Sequence, residues 1–151
     1  MHIGMSLDFD FQEIIKKYEL ENLIEFKGYL THKESLKHLS QASVLLLITT
    51  DSPGAEALTT GKIFEYFRAG KPILGILPPS GMAASLIKEL NAGIVVSPQH
   101  ITTIKQILKD FYRKWQSCDL KVNIEQEKLK KFERRYLTGK LGEVFNQITQ
   151  G

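Results

Sequence analysis

The feature that most constrains the fold is the run at residues 43–49, Ser-Val-Leu-Leu-Leu-Ile-Thr. Its apolar residues follow one another directly, so the run lacks the alternation typical of a strand with one solvent-facing side. A strand of this kind is typical of a parallel sheet covered by helices on both faces. The sequence therefore predicts an α/β sheet with this strand at its centre.

Three further short runs are predicted strands, at 23–27, 72–77 and 93–96. Amphipathic stretches separate them. The predicted helices lie at 11–18, from Thr31 to near Ala42, at 60–69 and at 83–90. Because strands that alternate with helices over short connections form parallel sheets, the sequence predicts a Rossmann-like, doubly wound parallel sheet.

The chain continues beyond the predicted sheet with helical spacing. Apolar residues recur in this way from Ile104 to Trp115, and two further helices are predicted at 124–136 and 139–148. The fold class expected is thus α/β with C-terminal helices.

Composition limits the classes of function. The 151 residues are 42% hydrophobic and 25% charged, as in a single soluble domain. No apolar run approaches the roughly 20 residues of a membrane span, so we expect a cytoplasmic protein. One cysteine, Cys118, excludes an internal disulfide, and the four histidines lack metal-ligand spacing, which predicts no metal. The chain has a formal net charge of +3 with its basic excess in the C-terminal part, and we interpret this excess as solvated helix faces rather than a nucleic-acid site.

The predicted ligand site lies in the loops that follow the strands. In doubly wound sheets ligands bind beyond the carboxyl ends of the strands. The corresponding loops are at 28–30, 50–60, 77–81 and 97–98. The loop at 50–60 is rich in turn-forming residues and longer than a minimal strand-to-helix connection, which favours a functional role.

The helix predicted after this loop offers an anion site. Its start, Thr59-Thr60-Gly61-Lys62, presents backbone N–H groups and the positive end of the helix dipole. Gly61 lets an oxygen approach the backbone closely, and Lys62 adds a positive charge. Because a lysine in the first turn opposes the dipole, Lys62 fits best beside a bound anion; without one it would simply face water.

Glu65 shares a helix face with this anion site. At about 100° per residue, Gly61, Glu65 and Arg68 cluster on the side opposite Ile63 and Phe67. Glu65 lies about 6 Å along the axis from Gly61, comparable to the separation of a nucleotide's β-phosphate from its ribose hydroxyls. A carboxylate there can accept two hydrogen bonds from a vicinal diol, or pair on the surface with Arg68.

The loop after the first predicted strand is a candidate base site. The backbone of Tyr29 and Leu30, after Gly28, could meet the edge of a nucleobase, with the Tyr29 ring as a wall or as a packing residue. Several common classes of site are absent from the sequence: the Walker loop, the Gly-x-Gly-x-x-Gly turn, the serine elbow and the cysteine-rich metal pattern.

Four segments carry a resemblance to a known family. They are IEFKGYL at 24–30, LSQASVLLL at 39–47, GKIFEYFRAGKPIL at 61–74 and ELNAG at 89–93. Together with FERRYLT at 132–138, they resemble the C-terminal, donor-binding domain of retaining group 1 glycosyltransferases (family 4, GT-B fold). The Lys-Ile-Phe-Glu-Tyr segment followed by Gly-Lys-Pro is the most specific part.

The resemblance implies a role for each part of the site. Glu65 would hold the donor ribose, the start of its helix the diphosphate, and residues 28–30 the base. The substrate implied is a nucleotide diphosphate sugar, with no other cofactor. The expected partner is an N-terminal acceptor domain or a separate chain, and the parent protein is either cytoplasmic or peripheral to a membrane. Ala57 stands where many members carry a second glutamate, with Glu56 one place away.

The resemblance also implies a division of the chain. Residues 1–116 would form the Rossmann-like nucleotide-sugar-binding domain, apparently without its first βα unit, and residues 117–151 would be C-terminal helices that pack on it or on a partner domain. We expect this chain alone to be inactive, because acceptor and catalytic groups assemble across two domains. Two other functions remain open. One is a non-enzymatic α/β module, receiver-like or nucleotide-sensing, that binds partners; a phosphate-accepting receiver would need acidic residues clustered at strand ends, and only Asp51 is suitably placed. The other is a nucleotide-sugar epimerase of the GT-B fold.

Overall fold

The fold is α/β and comprises two compact units, Met1–Gln41 and Ala42–Gly151. In this computed structural model the residues described are 11–49 and 61–149. The helices of the first unit are α1, Phe11–Lys17, and α2, His32–Gln41. Both were predicted from their apolar spacing.

A capping box begins α2. The Thr31 hydroxyl accepts the Glu34 N–H at 3.3 Å, and the Glu34 carboxylate accepts the Thr31 N–H at 2.9 Å and its hydroxyl at 2.6 Å. These bonds satisfy amide groups that the first helical turn leaves unpaired. They also hold the pKa of the Glu34 carboxyl below its ordinary value, since the Thr31 hydroxyl and N–H both favour the ionised form.

The strand predicted at 23–27 is wrong. This segment consists of turns and irregular chain, apart from a single-residue β-bridge at Phe26. The Leu20 carbonyl accepts the N–H groups of both Leu23 and Ile24, at 2.9 and 3.1 Å. A local turn has therefore taken the donors that a strand ladder would use, and the Leu23 side chain is 76% exposed.

The second unit is built on three parallel strands. They are β1, Leu45–Ile48, β2, Ile73–Ile76, and β3, Gly93–Val96, in the order β1-β2-β3. All three coincide with predicted strands. The predicted place of β1 at the centre is wrong within the described sheet: β2 lies between its neighbours, and β1 shows alternating buried and exposed residues.

Helices cover this sheet on both faces. The helices after β1, β2 and β3 are α3, Lys62–Ala69, α4, Met82–Glu89, and α5, Ile101–Gln116. On the first face, a Cβ on Gly75 would stand 3.2 Å from Ile87 of α4. On the second face, Ile107 and Phe111 of α5 pack in one cluster with Leu74 and Val96.

On the second face, two side chains of β1 are exposed. Alternate strand residues point to opposite faces, so Leu46 and Ile48 share a face with their register partners Leu74 and Ile76. Leu46 is 49% exposed and Ile48 62%. The apolar surface of the sheet therefore continues from the α5 cluster to these two exposed side chains.

The C-terminal segment returns to the helices on the first face. Its helices are α6, Gln126–Lys130, and α7, Arg134–Thr149, so the break between them falls earlier than predicted. In this break Phe132 packs on Phe64 of α3, with ring centroids 5.6 Å apart, and Lys131 pairs with Glu89 of α4. The side chains of α7 include no buried residue.

Candidate functional site

The candidate site begins where the parallel strands end. The Thr49 N–H donates to the Ile76 carbonyl at 3.2 Å, and the Leu77 N–H donates to the Val96 carbonyl at 3.1 Å, so the three carboxyl ends are level. Helix α3 ends at Gly70, just before β2 begins. Since it runs back along the sheet, its N-terminus lies at the carboxyl edge.

The start of α3 is open. Gly61 occupies the N-cap position with φ −54°. Among the described residues no side chain caps the helix, and a Cβ on Gly61 would meet none of their atoms within 4 Å. The Gly61 carbonyl accepts the Phe64 N–H at 3.3 Å. The first amides of a helix have no partner within it, and no described residue outside the helix accepts those of Lys62 and Ile63, an arrangement that suits an anion. Thr59 and Thr60, predicted beside Gly61, lie outside the described residues, as does the rest of the loop at 50–60.

The two faces of α3 are those that the periodicity predicted. Ile63 and Phe67 are fully buried, whereas Gly61 and Arg68 are exposed and Glu65 is half-buried. Gly61 and Glu65 thus share the face turned away from the sheet, about one turn apart. The arrangement presents backbone N–H donors and a carboxylate acceptor along one side of a short helix.

The C-terminus of α3 is also as predicted. Gly70 adopts φ 65° and its N–H donates to the Phe67 carbonyl at 3.2 Å. Glycine is favoured here because the left-handed conformation places no Cβ against the backbone. The helix is therefore limited to Lys62–Ala69, which fixes where its site-forming N-terminus can lie.

Tyr66 joins α3 to β1, a contact that the sequence analysis missed. Its hydroxyl donates to the Leu46 carbonyl at 3.2 Å. Burial raises the pKa of this hydroxyl, and the neighbouring Glu65 carboxylate raises it further. The group is therefore a neutral donor at physiological pH. No sequence pattern marked this pair, since a residue of a helix and a strand backbone meet only through the tertiary fold.

A second missed feature lies at the end of β1. The Thr49 side-chain oxygen is buried and has no hydrogen-bond partner within the described residues. An unsatisfied buried hydroxyl costs about 1–3 kcal/mol relative to a paired one. Thr49 therefore stands out as a buried polar group at the carboxyl edge that no described residue pairs with.

The predicted base loop belongs to the first compact unit, whereas α3 belongs to the second. Gly28 has φ 63°, a conformation that favours glycine. Tyr29 is 85% exposed and Leu30 is half-buried. The Tyr29 ring is thus a solvent-facing surface and does not act as a core residue.

The remaining predicted loops also follow strand ends. After β2, the Gly81 N–H donates to the Pro78 carbonyl at 3.0 Å, and Gly81 becomes the N-cap of α4. After β3, the Ser97 hydroxyl accepts the Gln99 N–H at 3.3 Å. Both loops are held by local bonds at the edge where α3 begins.

In residues 11–49 and 61–149 no group of His, Cys, Asp and Glu side chains is arranged to hold a metal ion. Within the same ranges, no helix is both long and apolar enough to cross a bilayer.

The fold and site define an α/β protein with an open parallel sheet and an amide-rich helix start at its carboxyl edge. Comparisons with protein-family models, curated proteins and solved structures found no match in any of the three. The function is accordingly argued from the site.

Proposed function

We propose that this chain is the donor-binding domain of a retaining GT-B glycosyltransferase of group 1 (family 4), which transfers a sugar from a nucleotide diphosphate sugar to an acceptor. The observation that carries the proposal is the shared outer face of Gly61 and Glu65 on α3, opposite the buried Ile63 and Phe67. This face offers donors for a diphosphate and an acceptor for a ribose at the spacing that a nucleotide requires.

The diphosphate would bind at the start of α3. No described residue fills the space over Gly61, so phosphate oxygens could approach the backbone amides there, and the dipole would favour their charge. Exposed Lys62 would add an ion pair at the rim. A bound anion would also offset the unfavourable position of a lysine in the first turn.

The ribose would bind Glu65. Its carboxylate can accept hydrogen bonds from both hydroxyls of the diol, and hydrogen bonds to a charged acceptor are the stronger kind.

The sheet would be one half of a doubly wound sheet. In the described sheet each later strand lies on the same side of the one before it, in the order β1-β2-β3. A second half would extend from β1, where the exposed Leu46 and Ile48 leave apolar surface to cover. The exposed face supports this larger architecture.

Catalysis would require an acceptor domain, on the same polypeptide or on a partner chain. Helix α7 supports a contact of this kind, because its exposed apolar residues recur at helical spacing along one face. These residues are Leu137, Leu141, Val144, Phe145 and Ile148. The chain alone would bind nucleotides and transfer little sugar.

The test is a calorimetric titration with UDP, GDP and ADP, repeated with the 2′,3′-dideoxy form of the nucleotide that binds best. Glu65→Gln keeps the side-chain shape and should weaken the ribonucleotide about 10-fold or more, the size of a lost hydrogen bond to a charged group. It should leave the dideoxy form nearly unchanged. Glu143→Gln, at an exposed glutamate of α7, is the matched control and should bind as the parent does.

Two results would overturn the proposal. One is no binding of any of the three nucleotides at millimolar concentration. The other is an equal loss of ribonucleotide and dideoxynucleotide affinity in Glu65→Gln, because the carboxylate would then not be recognising the diol.

A further inference from the structure

Helix α5 carries a second apolar strip beside the one that it buries. Ile107 and Phe111 pack in one cluster with Leu74 and Val96 of the sheet. At about 100° per residue, a strip centred roughly 90° around the helix axis from these two residues is apolar as well. Its side chains are between 51% and 64% exposed and belong to Ile101, Leu108, Tyr112 and Trp115. At 1.5 Å per residue the strip is about 21 Å long.

This strip points toward β1. The parallel strands β1, β2 and β3 follow one another through right-handed connections, and α5 runs back along the second face of the sheet. In a right-handed helix that runs this way, the residues that follow the buried strip in order of increasing angle point toward β1. There the sheet itself presents the exposed side chains of Leu46 and Ile48. The two strips are therefore the walls of one apolar corner, the β1–α5 corner, formed by Leu46, Ile48, Ile101, Leu108, Tyr112 and Trp115.

The shape of the β1–α5 corner fits a helix. Val44, two residues before Leu46, packs against the α5 cluster, so the corner continues the core. Helices that pack side by side lie about 8–10 Å apart, and neighbouring strands about 4.8 Å. Since α5 packs on β2 and β3, a helix beside it would lie over β1 and contact both walls. A flat surface such as a bilayer would contact only one of them.

The outward rim of the corner is basic. Lys105 and Lys109 lie next to the apolar strip of α5, and both are exposed. Arg113, the next basic residue on this side, pairs with Asp110. Within residues 11–49 and 61–149 no carboxylate pairs with either lysine. Like charges four residues apart on a helix repel, and an acidic side chain at the edge of a docked helix would offset this repulsion.

We propose that the β1–α5 corner is a docking site for an amphipathic α-helix of a partner, with acidic residues along the edge of its apolar face. Tyr112 and Trp115 anchor this helix: their rings stack with centroids 5.8 Å apart, and tyrosine and tryptophan are enriched among the residues that dominate binding energy. The inference goes beyond the proposed function and does not depend on it, because the nucleotide would bind at the start of α3 and at Glu65.

The experiment uses the full 151-residue chain and a synthetic peptide. The peptide has about 18 residues, with leucine at i, i+3, i+4 and i+7, glutamate along the edges of the leucine face and glutamine elsewhere. Trp115 is the only tryptophan of the chain, so its fluorescence reports on the corner directly. Its emission should shift to shorter wavelength and saturate as the peptide is added.

Two control peptides test the pattern and the charge. A peptide of the same composition, with its leucines distributed around the helix, should not shift the emission of Trp115. A peptide with lysine in place of each glutamate should bind about 10-fold more weakly at low ionic strength, because it meets the basic rim with like charge.

Substitutions test the two walls separately. Leu46→Ser removes apolar surface from the sheet wall and Leu108→Ser from the helix wall, and each should weaken the acidic peptide about 10-fold. Leu137→Ser on α7 is the matched control, since Leu137 is 52% exposed and Leu108 51%; its affinity should stay within about twofold. A thermal melt verifies that each variant is folded. Nucleotide affinity, measured on the same variants, tests the proposed function separately.

Four outcomes would contradict the inference. In the first, the acidic peptide does not shift Trp115 emission at about 100 μM. In the second, Leu46→Ser binds as the parent does, or Leu137→Ser is weakened as much as Leu108→Ser, so that the peptide does not occupy the corner. In the third, the emission shifts with protein concentration alone, which shows that a second copy covers the corner. In the fourth, vesicles of phosphatidylcholine and phosphatidylglycerol shift the emission as strongly as the peptide, which indicates a lipid-binding surface.

Discussion

A Cβ atom on Gly93 would stand 1.9 Å from the carbonyl oxygen of Ile73, its register partner in the neighbouring strand. The obstruction is backbone, since the nitrogen and carbonyl carbon of Ile73 would lie 2.7 Å away. A flexible side chain could move aside, but here β3 would have to shift relative to β2. Glycine is therefore required for the close approach of these two strands.

We predict that Gly93→Ala lowers the free energy of unfolding by about 3 kcal/mol, at the upper end for overpacking, because the strand backbones must separate. Urea denaturation followed by circular dichroism measures the change. Gly139→Ala is the control, since a Cβ there meets no atom within 4 Å; in a helix it should raise stability by roughly 0.5–1 kcal/mol. A Gly93→Ala variant as stable as the parent would contradict the close approach.

The sequence was informative where one local rule decided the outcome. The bounds of β3, the capping box at Thr31 and the cap at Gly70 each depend on residues close in the chain. The predicted strand at 23–27 failed because the Leu20 carbonyl binds two of the amides that follow it. Apolar content alone does not reveal that competition.

The same distinction applies to the candidate site. The two faces of α3 follow from helical periodicity, so the shared face of Gly61 and Glu65 was predictable. The bond from Tyr66 to the Leu46 carbonyl joins residues 20 apart and depends on how α3 packs. The place of β1 at one end of the described sheet likewise depends on which strands pair, a tertiary property that the continuous apolar run at 43–49 does not encode.

The second prediction concerns the substitution of Gly61 by alanine. Its φ of −54° suits alanine and a Cβ there would meet no described atom within 4 Å, so Gly61→Ala should leave the fold unchanged. The added methyl group would nevertheless stand where a phosphate oxygen must approach. We expect nucleoside diphosphate affinity to fall about 10-fold by calorimetry, about 1.4 kcal/mol. Gly139→Ala serves as the control, and unchanged affinity in Gly61→Ala would exclude close backbone contact with the diphosphate.

We predict that the protein loses the stability contributed by the Tyr66 hydroxyl in alkali. Burial first, and then Glu65, raises the folded-state pKa above its ordinary value of 10.0. The stabilising contribution is therefore complete below about pH 10 and is lost as pH rises through the folded-state pKa. The stability difference between parent and Tyr66→Phe should be constant up to that pH and shrink above it, as urea denaturation from pH 7 to 11 would show. If the stability difference between the two proteins stayed constant or grew in alkali, the Tyr66 hydroxyl would not be a neutral, half-buried donor.

We predict that the stability contributed by the capping box of Thr31 and Glu34 is lost in acid. Bonds from the Thr31 hydroxyl and N–H lower the folded-state pKa of Glu34 below 4.5, so its contribution is present above that pH and lost as pH falls through the folded-state value. Thr31→Ala should destabilise α2 by about 1 kcal/mol at neutral pH and by less in acid. Hydrogen exchange of the α2 amides measures this locally. Thr138→Ala, at an exposed threonine of α7, should change stability by less than about 0.5 kcal/mol.

The protein should be more stable when residue 49 lacks the hydroxyl of Thr49. Its side-chain oxygen is buried and lacks a partner within the described residues, and valine has nearly the same shape without the polar group. Thr49→Val should therefore raise the unfolding free energy by about 1 kcal/mol, whereas Thr103→Val, on the exposed side of α5, should change it little. A destabilised Thr49→Val variant would show that the hydroxyl is hydrogen-bonded.

Nucleotide affinity should be measured on the same variant, because Thr49 follows β1 at the carboxyl edge. If Thr49→Val is more stable but binds nucleotide less well, the hydroxyl is a ligand contact that is retained at a cost in stability.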